Sequence, residues 1–165
     1  MSSDHRTGPP ELSQWFWDIV QRAKQNPCKL KALLQSLRND HVLRFAMEFE
    51  DAASWLRGSE YARYLGYGSE DHVADASYWV VSQGQQLFTR AWRQPEAVAV
   101  FDGVTESDAA AQCLCCVAEK ILYERLGDDS YDDEQWDIQQ ALEDFTASGY
   151  TTIADFVDAR RSNVP

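Results

Sequence analysis

Apolar residues recur along this chain with the spacing of helices. Ser13 precedes Trp15, Phe16, Ile19, Val20 and Ala23, a pattern that predicts a capped helix ending near Asn26-Pro27. Leu30, Leu33, Leu34 and Leu37 predict a second, shorter helix. Val42, Phe45, Ala46, Phe49, Ala53 and Leu56 predict a third, opened by Asn39 or Asp40 and closed at Gly58. A short helix around residues 60 to 65 then leads into Gly66-Tyr67-Gly68, where glycine permits backbone angles that side chains disfavour. Ser69, Glu70 and Asp71 supply the oxygens that a helix N-terminus favours. Val73, Ala76, Val80, Leu87, Phe88 and Ala91 continue one long helix, in whose interior Gly84 costs about 1 kcal/mol relative to alanine.

Past Pro95 a short helix is expected to end near Phe101-Asp102-Gly103. Ser107 then caps a segment from Asp108 to Leu126 that places Cys113, Leu114, Val117, Ala118, Ile121 and Leu122 on one stripe, with Gly127 as its C-cap. An acidic connection, Asp128 to Glu134, precedes a helix bearing Trp136, Ile138, Leu142 and Phe145 that stops at Gly149. Thr151 or Thr152 opens a last helix with Ile153, Phe156 and Val157. No segment alternates with period two between hairpin turns, so the expected fold is all-α: a single compact globular multi-helix domain over residues 12–165. Residues 1–11, with Gly8-Pro9-Pro10, read as a flexible polar leader.

Composition narrows the function classes. At 165 residues the chain suits one domain with a real core, and 44% hydrophobic with 12% aromatic residues is too apolar for disorder. No apolar run reaches the roughly 18 residues of a membrane helix, and the start lacks a secretory h-region, so a cytoplasmic location is expected. The net charge of −12 is unevenly placed. Residues 1–57 hold eight Lys/Arg against seven Asp/Glu, and residues 58–165 hold seven against twenty, giving +1 and −13. Such a surface repels nucleic acid; it can steer a basic protein or collect cations, and it also serves solubility alone.

Trp15-Phe16-Trp17, the Leu-rich and Phe-rich helices through Phe49, and the block from Ser69 to Pro95 together resemble the bacterial domain-of-unknown-function 4240 family over residues 13–102. In that family the block reads as a glycine turn, Ser-Asp-Asp, an aromatic, Phe-Arg-x-Trp-Leu-Ile, Gln-Gly and a closing proline-acidic pair. Ser69, Asp71, Trp79, Gln83, Gly84, Pro95 and Glu96 match it. Glu70 replaces the first Asp, Val73 the aromatic, and Ala76-Ser77 the Phe-Arg pair, so no guanidinium is offered at that point. The resemblance implies a family-like core over 13–102, followed by an acidic helical C-terminal part over 103–165. It implies no activity, because the family has none established.

Asp71 and Asp75 are i, i+4 neighbours with His72 beside them, and with Ser69 they could hold a cation or polar ligand; capping alone also selects Ser69, Glu70 and Asp71. The run Asp128, Ser130, Asp132, Glu134 lacks the glycine and glutamate of a calcium loop, whose places Asp133 and Gln139 take. Cys113, Cys115 and Cys116, read as one helix, cannot all face one metal, and the four cysteines are expected to be reduced and mostly buried. Of the six Trp, Trp15, Trp55 and Trp79 are assigned to the core, and Trp17, Trp92 and Trp136 less cleanly so, with Trp136 exposed. No catalytic set, metal or cofactor is expected.

These readings favour a non-enzymatic acidic protein that binds a basic protein partner through its C-terminal half, as an inhibitor or immunity-type protein does. Asp129, Tyr131, Asp132, Asp133, Trp136 and Asp137 are the expected contact residues. The alternative is a small-ligand binder or enzyme with its site at the Gly66 to Asp75 turn, built from Ser69, Asp71, His72 and Asp75 with Tyr67 or Tyr78.

Overall fold

The computed structural model describes residues 12–66, 69–126 and 137–162. Ser13 Oγ accepts the Phe16 amide at 3.2 Å and opens helix α1, Gln14–Ala23, which Lys24 and Gln25 end in left-handed conformations. Asn26 caps α2, Pro27–Gln35, with proline at the first position, where its missing amide costs nothing. Helix α3, Asn39–Ser54, lies at the centre: α1, α5, α8, α9 and α10 all pack on it. Helices α4 (Ser59–Ala62), α5 (Glu70–Gln83) and α6 (Gln85–Arg93) follow, then a 3₁₀ segment, Pro95–Gly103. The chain continues as α7 (Glu106–Gln112), α8 (Val117–Leu126), α9 (Ile138–Ser148) and α10 (Ile153–Ser162). No strand occurs among the described residues, as an all-α fold requires.

The core is aromatic where α1 meets α3. Phe16, wholly buried, packs its ring 5.1 Å from Phe45 and 6.3 Å from Phe49. A polar knot fixes the same junction. Glu48, only 3% exposed, accepts from the Ser13 amide at 2.9 Å, the Ser13 hydroxyl at 3.0 Å and Arg44 Nε at 3.2 Å. Arg44 in turn lies 4.3 Å over the Trp15 ring.

Four expectations are corrected. The long helix past Ser69 is two helices, because Gly84 has φ 113° and ψ 179°, angles that no α-helix contains. The Asp108–Leu126 helix is also two. Thr105, not Ser107, caps the first through the Asp108 amide, and the chain is extended at Cys113 and left-handed at Cys116. Ser82 Oγ of α5 accepts the Leu114 amide at 2.9 Å and anchors this break from a distance no local pattern displays. Trp17 is buried, with its ring 5.2 Å from Phe88 of α6, whereas Trp15 and Trp55 are only half-buried. The cysteines are less buried than expected: Cys28 and Cys116 are exposed and Cys113 and Cys115 half-buried.

Asp51 of α3 carries a titration consequence. Burial, and then the nearby Glu48 charge, push its carboxyl up from 3.8 to about 6, against a hydrogen bond from Trp55 that lowers it. Between those values the folded chain keeps a proton that the unfolded chain has released, so Asp51 subtracts stability as pH rises through that window. One pK unit is about 1.4 kcal/mol. With a discount for its partial exposure, the ionised carboxylate costs about 1–2 kcal/mol at neutral pH. Asp51→Asn is therefore expected to stabilise the protein by about that amount at pH 7.5 and not at all below pH ~4, in paired urea titrations at the two pH values.

Candidate functional site

The turn after α4 is tied to the 3₁₀ segment by one side chain. Asp102 Oδ2 accepts the Gly66 amide at 2.8 Å, and Asp102 Oδ1 lies 2.9 Å from His72 Nε2. The His72 amide is itself held by Ser69 Oγ at 3.2 Å, and its ring packs 5.3 Å from Phe101. Desolvation raises the Asp102 pKa, but the Gly66 amide and His72, by hydrogen bond and charge, outweigh it and hold the carboxyl below its ordinary range. Of the four candidate residues, then, Ser69 caps α5 and His72 reaches Asp102, while Asp71 and Asp75 stand exposed on the first two turns of the helix. Tyr67 and Gly68 lie outside the described residues. Asp102 was the member that sequence reasoning missed, because it is 30 positions from His72 and local pattern marks it only as part of a helix end.

Tyr78 serves a different cluster. Its hydroxyl donates to Glu50 of α3, at 2.9 and 3.2 Å to the two carboxylate oxygens, and the Arg57 guanidinium covers its ring at 4.7 Å. Burial, then the Glu50 carboxylate, push the phenol up to about 12, so it stays a donor. Arg57 also pairs with Glu50 at 3.0 Å and donates from Nε to Ser77 Oγ at 3.2 Å. The position where the resemblance expects an arginine thus receives its guanidinium from residue 57.

Of the concavities, one lies beside Gly84 and another borders the Tyr78–Glu50 cluster. A groove of about 390 Å³ runs beside Gly84, lined by Trp17, Gln21, Lys24, Gln25, Gln83 and Gln86 among others. A smaller cavity of about 90 Å³ lies between α3 and α8, with Glu50, Tyr78, Cys115, Cys116 and Glu119 on its wall. Burial raises the Glu119 pKa, partly offset by a hydrogen bond from Cys116. Among the described residues no group of three or more His, Cys, Asp or Glu has the arrangement of a metal site.

Trp79 Nε1 and Gln83 Nε2 converge on Gln112 Oε1, at 3.2 and 3.3 Å, just before Gly84 ends α5. A family model described as "Protein of unknown function (DUF4240)" matches residues 13–125. The chain belongs to this family. The DUF4240 match starts at the cap of α1 and ends in the last turn of α8, so it extends past residue 102 through the thiol-bearing connection. The DUF4240 motif residues have structural roles here: Ser69 caps α5, Trp79 and Gln83 bind Gln112, Gly84 makes the break, and Pro95 opens the 3₁₀ segment. No curated protein and no solved structure is significantly similar to the chain.

Of the expected contact residues, Asp129, Tyr131, Asp132, Asp133 and Trp136 lie outside the described residues. Asp137 caps α9, its Oδ1 accepting the Gln139 and Gln140 amides at 2.9 and 3.2 Å. Every described Asp and Glu after Gly58 is exposed except Glu60, which is half-buried. Tyr64 and Val100, two of the exposed large apolar side chains, each lie two positions before a partner in the Gly66–Asp102 hydrogen bond. No described helix is long and apolar enough to cross a membrane.

Proposed function

We propose that this protein binds a basic protein partner through the acidic second half of the chain, as a non-enzymatic inhibitor or immunity-type protein. The observation that carries the reading is that the sequence after Gly58 sets twenty Asp/Glu against seven Lys/Arg, and that those of the acidic residues that are described are exposed, Glu60 apart. Like charges so concentrated raise the encounter rate with a cationic surface and disfavour polyanions. Exposed Tyr64 and Val100 beside the Asp102 tie add apolar anchors, the residue types around which interfaces build a dry centre and a charged rim.

The test combines native mass spectrometry of complexes isolated at low and high salt with charge reversal in the recovered pair. Asp132→Lys/Asp133→Lys is expected to weaken the complex about tenfold at low salt and little at high salt. Asp137 is left intact because its side chain caps α9. Affinity that ignores both salt and the reversal would sink this reading.

A small-ligand site at the Gly66 to Asp75 turn is the second reading, and the joining of His72, Asp102 and Gly66 favours it. Amide shifts confined to Gly66, Ser69 and His72 when metabolites are added would support it over the first.

A further inference from the structure

The connection between α7 and α8 gathers thiols that a continuous helix would spread apart. Leu114 is buried and its amide is pinned to Ser82, while Cys113 and Cys115 on either side of it are half-buried. Cys116 sits at φ 68°, a conformation that costs a residue with a side chain about 1–3 kcal/mol and persists only where surrounding structure enforces it. Its sulfur stands 3.1 Å from that of Cys115. Cys116 is exposed, Cys115 is half-buried, and both border the cavity of about 90 Å³ that also holds Glu119.

We propose that Cys115 and Cys116 form a thiol–disulfide exchange site for low-molecular-weight disulfides. The exposed Cys116 sulfur attacks one sulfur of the small disulfide; a protein–small-molecule S–S bond forms, the original S–S bond breaks, and one small thiolate leaves. Cys115 then attacks Cys116 Sγ from its contact position, closing the disulfide between adjacent residues and releasing the second small thiolate. The two protons from the cysteines end on the two departing thiols. One disulfide is reduced and one is made, so no other oxidant is needed.

The surroundings fit these roles. Glu119 shares the cavity wall with Cys116, and burial raises its carboxyl pKa, which makes it a better proton acceptor. The Cys113 side chain and burial push the Cys115 thiol well above the ordinary range, and the same pairing holds the half-buried Cys113 down to about 7, so it is exposure that gives the first attack to Cys116. Adjacent Cα atoms are about 3.8 Å apart, short of the roughly 4.4–6.8 Å that disulfides prefer. Such a bond is strained and easily reduced, as suits a reversible modification and not a structural staple.

The experiment treats the reduced full-length chain with oxidised glutathione, quenches in acid, alkylates free thiols and maps products by mass over time. Cys28, exposed and remote in sequence, serves as the internal control. The expected result is reaction at Cys116 at least tenfold faster than at Cys28, leading to a Cys115–Cys116 disulfide that reduced glutathione reopens. Cys115→Ser is expected to stop at the mixed disulfide on Cys116. Equal rates at Cys116 and Cys28, a disulfide that includes Cys113, or an unchanged product from Cys115→Ser would each overturn the proposal. The comparison of Cys116 with Cys28 needs no variant, so it stands even where a substitution impairs folding.

Discussion

Replacing Glu48 with alanine is expected to lower the stability of the fold by about 3 kcal/mol, read as an earlier urea midpoint. The carboxylate is 3% exposed and accepts three hydrogen bonds, two from Ser13 and one from Arg44. Alanine leaves the Ser13 amide and the Arg44 guanidinium without their acceptor, and a buried charge robbed of its partner costs roughly 3–5 kcal/mol. Arg44 keeps 18% of its side chain exposed, so water relieves part of that and sets the estimate at the lower end. Glu48→Gln preserves an acceptor for the Ser13 amide and should lose about half as much. Removing the Glu48 charge also relieves Asp51, so the loss should be larger in an Asp51→Asn background than in the natural chain. A change within about 0.5 kcal/mol for Glu48→Ala would mean that apolar packing alone seats α1 on α3.

Gly84→Ala is expected to destabilise by about 2 kcal/mol, and its sign is the informative part. A glycine inside a helix gains about 1 kcal/mol on becoming alanine. Here φ is 113° with an extended ψ, a region open almost only to glycine, and an added Cβ would meet nothing within 4 Å. The penalty is therefore purely conformational, with no steric part. A D-alanine introduced at 84 by chemical ligation should be tolerated, because its mirror-image preferences include positive φ. Calorimetry of the L and D variants separates the two accounts: a stabilised L variant would show that α5 and α6 are one helix in solution.

Much of the fold was legible because its signals are local. Ser13 and Ser69 stand directly before the helices they cap, Gly149 ends α9 in the left-handed conformation, and the apolar spacing from Val42 to Ala53 marks the buried face of α3. The missed break between α7 and α8 is set by a partner far along the chain. Cys113 to Cys116 keep helix-compatible apolar spacing, yet Ser82 takes the Leu114 amide from 32 positions away. Trp17 appeared peripheral on the α1 stripe and is buried because the turn at Gly84 brings Phe88 over it. The candidate site divides in the same way. His72 stood out by its place behind the Ser69 cap, while Asp102, which orients it, follows only from the tertiary arrangement.

The central place of α3 also shapes how the protein is made. Its neighbours include α1, which precedes it, and α10, the last described helix, whose Ile153, Phe156 and Val157 are buried. Roughly 100 residues separate the end of α3 from Val157, which at about 5–20 residues per second is roughly 5–20 s of ribosomal synthesis. Throughout that interval the nascent chain carries Phe45, Phe49 and Met47 on a helix whose final covering has yet to emerge, a natural client for chaperones that hold apolar segments.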